Sequence, residues 1–139
     1  MKILFKYMCA SFVIGTVIIS PFSWAKDFDL KGKELIISSY GLTVFKDKKH
    51  HFLVLHVKNN VNTVADFITV PQPPNGYKYE IGLCKLDGVY KEKLAALIKW
   101  EWVEVRRDVI GAWVSDEKGE KLISVDPKKV YCDNDAWNA

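Results

Sequence analysis

The sequence predicts a small, mainly β protein: an antiparallel sandwich or half-open barrel with room for one short helix. Three observations predict it. Short β-branched or alternating segments recur at ~8–12-residue spacing with Gly, Pro, Asn and Asp between them. A proline-rich break, Pro71-Gln72-Pro73-Pro74-Asn75-Gly76, interrupts a chain too short for two independent cores. The densest apolar and aromatic stretch lies between two cysteines, Cys84 and Cys132.

The chain of 139 residues opens with Lys2 and Lys6 and no acid. An uncharged, mostly apolar run follows over residues 8–20, and Pro21 ends it, because its ring blocks a continuing helix. Ser23-Trp24-Ala25 places small residues where a signal peptidase needs them for a cut after Ala25. Basic start, apolar middle and small-residue end make residues 1–25 a secretory leader. The competing reading is a retained anchor, since the uncharged run approaches the ~20 residues of a span. Lys26-Asp27-Phe28-Asp29 is no stop-transfer cluster, so cleavage is expected. Cys9 lacks the small-residue context of a lipoprotein signal and leaves with the leader. Residues 26–139 then form one periplasmic or secreted domain with no membrane span.

The chain carries 20 Lys and Arg against 17 Asp and Glu, and setting aside Lys2 and Lys6 brings it close to balance. Nucleic-acid binding needs a clustered basic excess, so it is not expected. A hydrophobic content of 49% argues against disorder. In an oxidising compartment Cys84 and Cys132 are expected to form a disulfide. Two free thiols are the alternative, but no histidine lies near either in sequence to activate it.

Taken in order, residues 26–33 are a polar lead-in. Residues 35–40 have strand composition, Gly41 breaks them, and residues 42–45 resume. Residues 46–51 (KDKKHH) are a charged turn. Residues 52–58 alternate, with Leu53, Leu55 and Val57 on one face and Val54, His56 and Lys58 on the other. Asn59-Asn60 turns, and residues 61–70 are ambiguous except that Phe67-Ile68-Thr69-Val70 favours a strand. After the proline loop, Tyr77, Tyr79, Ile81 and Leu83 alternate with Lys78, Glu80 and Gly82. Asp87-Gly88 is a turn.

Residues 90–98 (YKEKLAALI) admit two readings. Leu94, Leu97 and Ile98 fit a helical face, which would make the fold α+β. A single bent strand over about residues 94–105 is preferred, with a β-bulge where the apolar phase flips after Trp102. Arg106-Arg107-Asp108 reads as a turn and residues 109–115 as a strand. A hairpin loop follows at residues 116–120, strands at 121–125 and 129–132, and a polar tail carrying Trp137.

The segments Gly82-Leu83-Cys84-Lys85-Leu86-Asp87-Gly88, Ala112-Trp113-Val114 and Val130-Tyr131-Cys132-Asp133-Asn134 resemble small exported proteins of Gram-negative bacteria that carry one cysteine pair and no assigned activity. The resemblance covers the second half. It implies the disulfide and the compartment and supplies no site.

No catalytic or metal constellation stands out. His50, His51 and His56 share no ligand spacing with a cysteine or a paired acid, so they read as a solvated turn and one surface histidine. Ser38-Ser39-Tyr40-Gly41 lacks the first glycine of a nucleophile elbow. The acid pairs Glu101/Glu104, Asp116/Glu117 and Asp133/Asp135 sit in alternating or turn sequence, which suits solvated faces. No cofactor is expected. Trp100 with Trp102, and Tyr77 with Tyr79, each fall on one strand face. Core packing is the preferred reading for these four, and a binding surface the alternative. The leading expectation is a non-enzymatic exported protein that binds another macromolecule, for instance an inhibitor or immunity protein. A cell-envelope or glycan-binding module using Trp100 and Trp102 is second, and a small hydrolase assembled from distant residues third.

Overall fold

The structure is a computed structural model that describes residues 27–57 and 60–137, with backbone alone at residues 60–62. The leader over residues 1–25, its cut after Ala25, and Lys58 and Asn59 lie outside the described residues, while Asn60, expected in a turn with Asn59, begins a strand.

The protein is mainly β, as its alternating segments predict, and its strands form three antiparallel sheets of four, none closed into a barrel. The first sheet contains β1 (Glu34–Ser39), β2 (Leu42–Lys46), β3 (His51–Val57) and β4 (Asn60–Val70), paired in chain order. Tyr40 and Gly41 join β1 to β2 with φ of 51° and 79°, the left-handed pair a two-residue hairpin needs to match strand twist. The ring of Tyr40 lies where a Cβ on Gly82 would sit, only 2.4 Å away, and Gly82 itself has φ of 85°. Both constraints leave that position to glycine.

The second half of the chain supplies the other two sheets. Its strands are β5 (Tyr77–Ile81), β6 (Cys84–Leu86), β7 (Val89–Tyr90), β8 (Leu94–Lys99), β9 (Val105–Arg106), β10 (Val109–Ser115), β11 (Leu122–Ser124) and β12 (Val130–Asp133). The second sheet runs β11-β10-β8-β5 and the third β9-β12-β6-β7. A 3-10 turn at Pro127–Lys129 is the one helical segment among the described residues.

The second sheet is the middle layer. On one side Tyr79, Ile81, Ala95 and Leu97 pack with Leu42, Val44, Leu53 and Leu55 of the first sheet. On the other, Leu94, Ala96, Ile98 and Ala112 pack with Val130, Cys84 and Cys132 of the third. Strand β8 is therefore buried on both faces. Such a strand carries no polar alternation, which is why residues 94–98 also fit a helix. The structure excludes the helix at residues 90–98.

It also corrects the single long strand over residues 94–105. Pairing of β8 ends at Lys99, whose N–H bonds the carbonyl of Asp108. Trp100 N–H then donates to the Gly76 carbonyl at 2.7 Å, and the chain leaves the sheet. The apolar phase flips after Trp102 because residue 105 begins a strand of a different sheet. A bulge does occur, but at Leu97/Ile98, opposite Ile110 of β10. Arg106, expected in a turn, ends β9 and is buried.

Cys84 and Cys132 form the expected disulfide, directly opposite one another on β6 and β12 and fully buried. Two buried polar groups lie outside the expected set; Asp66 ties the first sheet to the second, and His56 bonds within the first. Asp66 on β4 accepts from Leu122 N–H of β11 at 2.8 Å and from Phe67 N–H at 3.0 Å. His56 is not a surface residue: it is buried, with Nε2 2.9 Å from Thr43 Oγ1, which lies 2.8 Å from Ser38 Oγ. The β-alternation of residues 52–58 is as expected, but both faces of β3 are covered.

Candidate binding surface

The segment between β8 and β9 has no strand partner, yet it is held at five points. Besides the Trp100–Gly76 bond, Arg106 Nε donates to the Glu101 carbonyl at 3.2 Å, and Val103 N–H to the same carbonyl at 3.1 Å. Asn134 completes the frame. Its Nδ2 donates to the Val103 carbonyl at 3.1 Å and its N–H to the Glu104 carbonyl at 3.0 Å. Its Oδ1 accepts from Ala136 N–H, and its own carbonyl accepts from Trp137 N–H. One buried side chain thus fixes both the loop and the tail that carries Trp137. Nothing in the local sequence singles out Asn134, because its partners come from the fold.

On this frame the tryptophans face outward. Trp100 is 53% and Trp102 60% exposed, so the preferred core reading for this pair is wrong. The physical reason is the end of β8 at Lys99: Trp100 and Trp102 do not continue the alternation of a buried strand. Lys78 Nζ lies 3.9 Å from the Trp100 ring centroid and Arg106 Cζ 4.4 Å, so two cations stack on one indole. Lys78 also pairs with Glu80 at 2.8 Å. Trp102 and Trp137 meet at 5.5 Å between centroids, tilted by 36°.

Tyr77 and Tyr79 share a face, and that face packs in the first core, the preferred reading for this pair. Tyr79 is buried, and its hydroxyl donates to the Pro71 carbonyl; burial raises its pKa well above that of a free tyrosine. Tyr77 is half-buried at the rim and donates to Asp108 Oδ1 at 3.1 Å. Its pKa is raised by desolvation first and by Asp108 second. Of the four aromatic residues, Tyr79 follows the preferred core reading and Tyr77 packs at its rim, whereas Trp100 and Trp102 are at the surface.

Among the described residues no three His, Cys, Asp or Glu side chains gather in a metal-binding group, and no helix is long and apolar enough to cross a membrane. The acid pairs are dispersed. Asp116 closes the β10–β11 turn by accepting from Glu120 N–H at 2.8 Å and Lys121 N–H at 3.2 Å, and these bonds hold its pKa low. Asp133 lies 4.0 Å from Lys85. The surface has aromatic area and fixed cations, which suit contact with a partner. No family model matches the chain, and neither the curated proteins nor the solved structures contain a match.

Proposed function

We propose that this is an exported, non-enzymatic protein that binds another macromolecule, with Trp100, Trp102 and Trp137 at the contact. The carrying observation is the exposure of Trp100 and Trp102 on a loop pinned by hydrogen bonds. Leaving a large apolar side chain in water forgoes about 1.5–3 kcal/mol of burial. A loop already fixed loses little further entropy when a partner covers it. Trp and Arg, both present here, are the residues that dominate protein contact energetics. Export is supported by the leader read in residues 1–25 and by the buried disulfide, which matches an oxidising compartment.

A protein partner, of the inhibitor or immunity kind, is favoured over a glycan by the state of the rings. Sugar stacking needs an open, flat aromatic face. Two cations already stack on Trp100, and Trp102 is tilted against Trp137. The test uses immobilised wild-type protein and the Trp102→Ala variant in periplasmic extract. A discrete protein retained by wild type and reduced at least about tenfold by Trp102→Ala is expected. Empty eluates at micromolar bait, or equal retention by both proteins, would overturn the proposal. Retention on purified cell wall, lost in Trp100→Ala, would transfer the surface to the envelope-glycan reading.

A further inference from the structure

A second candidate site shares no lining residue with the tryptophan surface. The turn from β2 to β3 forms one wall of an open cleft of about 410 Å³, lined by Lys46, Lys48, Lys49, His50 and His51, with Gln72 from the proline loop opposite. The turn backbone is rigid. Asp47 N–H donates to the His50 carbonyl at 2.9 Å, and Asp47 Oδ1 accepts from the N–H groups of Lys49 and His50 at 2.8 Å each. The basic side chains therefore project from a fixed base.

Two carboxylates, Asp47 and Glu34, share the cleft with the lysines. Asp47 is committed to the turn amides, which hold its pKa low. Glu34 on β1 stands opposite Lys46 in the strand register. Three lysines, Lys46, Lys48 and Lys49, thus line the cleft against two acids, of which Asp47 is tied to the turn. Among the described residues no carboxylate pairs with Lys46, Lys48 or Lys49 within 4.0 Å. The excess charge is felt inside the cleft. His51 is held in its neutral form first by burial and then by Lys46, against a weaker pull from Asp47, while the Tyr79 ring covers it at 6.4 Å.

We propose that this cleft binds a phosphate group, borne by a soluble phosphate ester or by an anionic lipid headgroup. Lysine ammonium groups act as point charges toward phosphate, whose several oxygens accept from many donors at once. The imidazoles of His50 and His51 and the Gln72 amide add donors of the kind that orient such an anion. A carboxylate offers fewer acceptor positions to the same array.

The test titrates the secreted wild-type protein with pyrophosphate, and in a second arm with vesicles of phosphatidylglycerol or, as control, phosphatidylcholine. NMR of the histidine rings and the Gln72 amide reads the first arm, and co-sedimentation the second. Saturable shifts at His50, His51 and Gln72, with a rise in the His51 pKa, are expected for a soluble ligand. Sedimentation with phosphatidylglycerol alone, abolished by added salt, assigns the headgroup instead. In either arm Lys48→Gln/Lys49→Gln weakens binding about tenfold or more, since each lysine contributes several-fold at a phosphate surface. Both lysines are exposed, so the variant keeps the wild-type melting temperature. No saturable response to either probe, or equal binding by the double variant, overturns the proposal. Trp102→Ala leaves this binding unchanged, which separates the two surfaces.

Discussion

Breaking the Cys84–Cys132 bond tests the architecture most directly. The two cysteines are 48 residues apart in sequence and close a loop that contains β7 to β11. In the chain-entropy model a loop of this length removes about 14 cal/mol/K from the unfolded state, or about 4 kcal/mol at 25 °C. Typical domains of this size have only ~5–15 kcal/mol of net stability. Both sulfurs are buried in the second core, so Cys84→Ala/Cys132→Ala adds a small cavity cost to the entropic one. Urea unfolding followed by tryptophan fluorescence should show a loss of about 4 kcal/mol or slightly more, with a larger m-value because the uncrosslinked chain exposes more surface. In thermal unfolding the same loss appears as a fall of about 15 °C. A loss below about 1 kcal/mol, with m unchanged, would refute the reasoning, because the loop would then not constrain the unfolded chain.

Other expectations follow from single positions. Leu94→Ala and Leu97→Ala should each cost about 2–5 kcal/mol in urea unfolding, since the two side chains fill different cores from one strand; a cost below about 1 kcal/mol at either would deny the two-sided burial of β8. Gly82→Ala should cost about 1–3 kcal/mol, from positive φ and the Tyr40 ring together, and a melting temperature equal to wild type would contradict it. Tyr79 is held neutral in the fold by burial, while in the unfolded chain it ionises near pH 10. The raised folded pKa means that its stabilisation is complete below about pH 10 and is lost as pH rises toward the folded value. Urea midpoints on the two sides of that pH should diverge more in wild type than in Tyr79→Phe, and identical slopes would count against the assignment.

Much of the first sheet was legible because its signals are local. The β-branched run before Tyr40-Gly41, the charged turn and the alternation of residues 52–58 each act over a few residues, and β1 to β3 follow them closely. Asp87-Gly88 joins β6 to β7 for the same reason, with φ of 51° and 80°. The proposed binding surface was less legible. Trp100 and Trp102 have the spacing of a strand face, and the hydrogen bonds that pull them out of the sheet come from Gly76 and Asn134, far away in sequence. His56 likewise carries no local sign of the Thr43 hydroxyl that satisfies it.

Taken alone, the amino-acid order predicted a mainly β chain, turns at Gly41, Asn75-Gly76 and Asp87-Gly88, and a Cys84–Cys132 pair, and the structure has all three. Strand and turn signals depend on local backbone preference, and the cysteine pair was expected from the compartment; the place where the two meet is set by the pairing of β6 with β12. Only the tertiary structure decided that residues 94–99 are a strand, that a third layer covers their second face, and that the two tryptophans beyond them stay in water. Burial on two sides erases the polar–apolar alternation by which a strand announces itself, and exposure is set by what a distant segment does or does not cover.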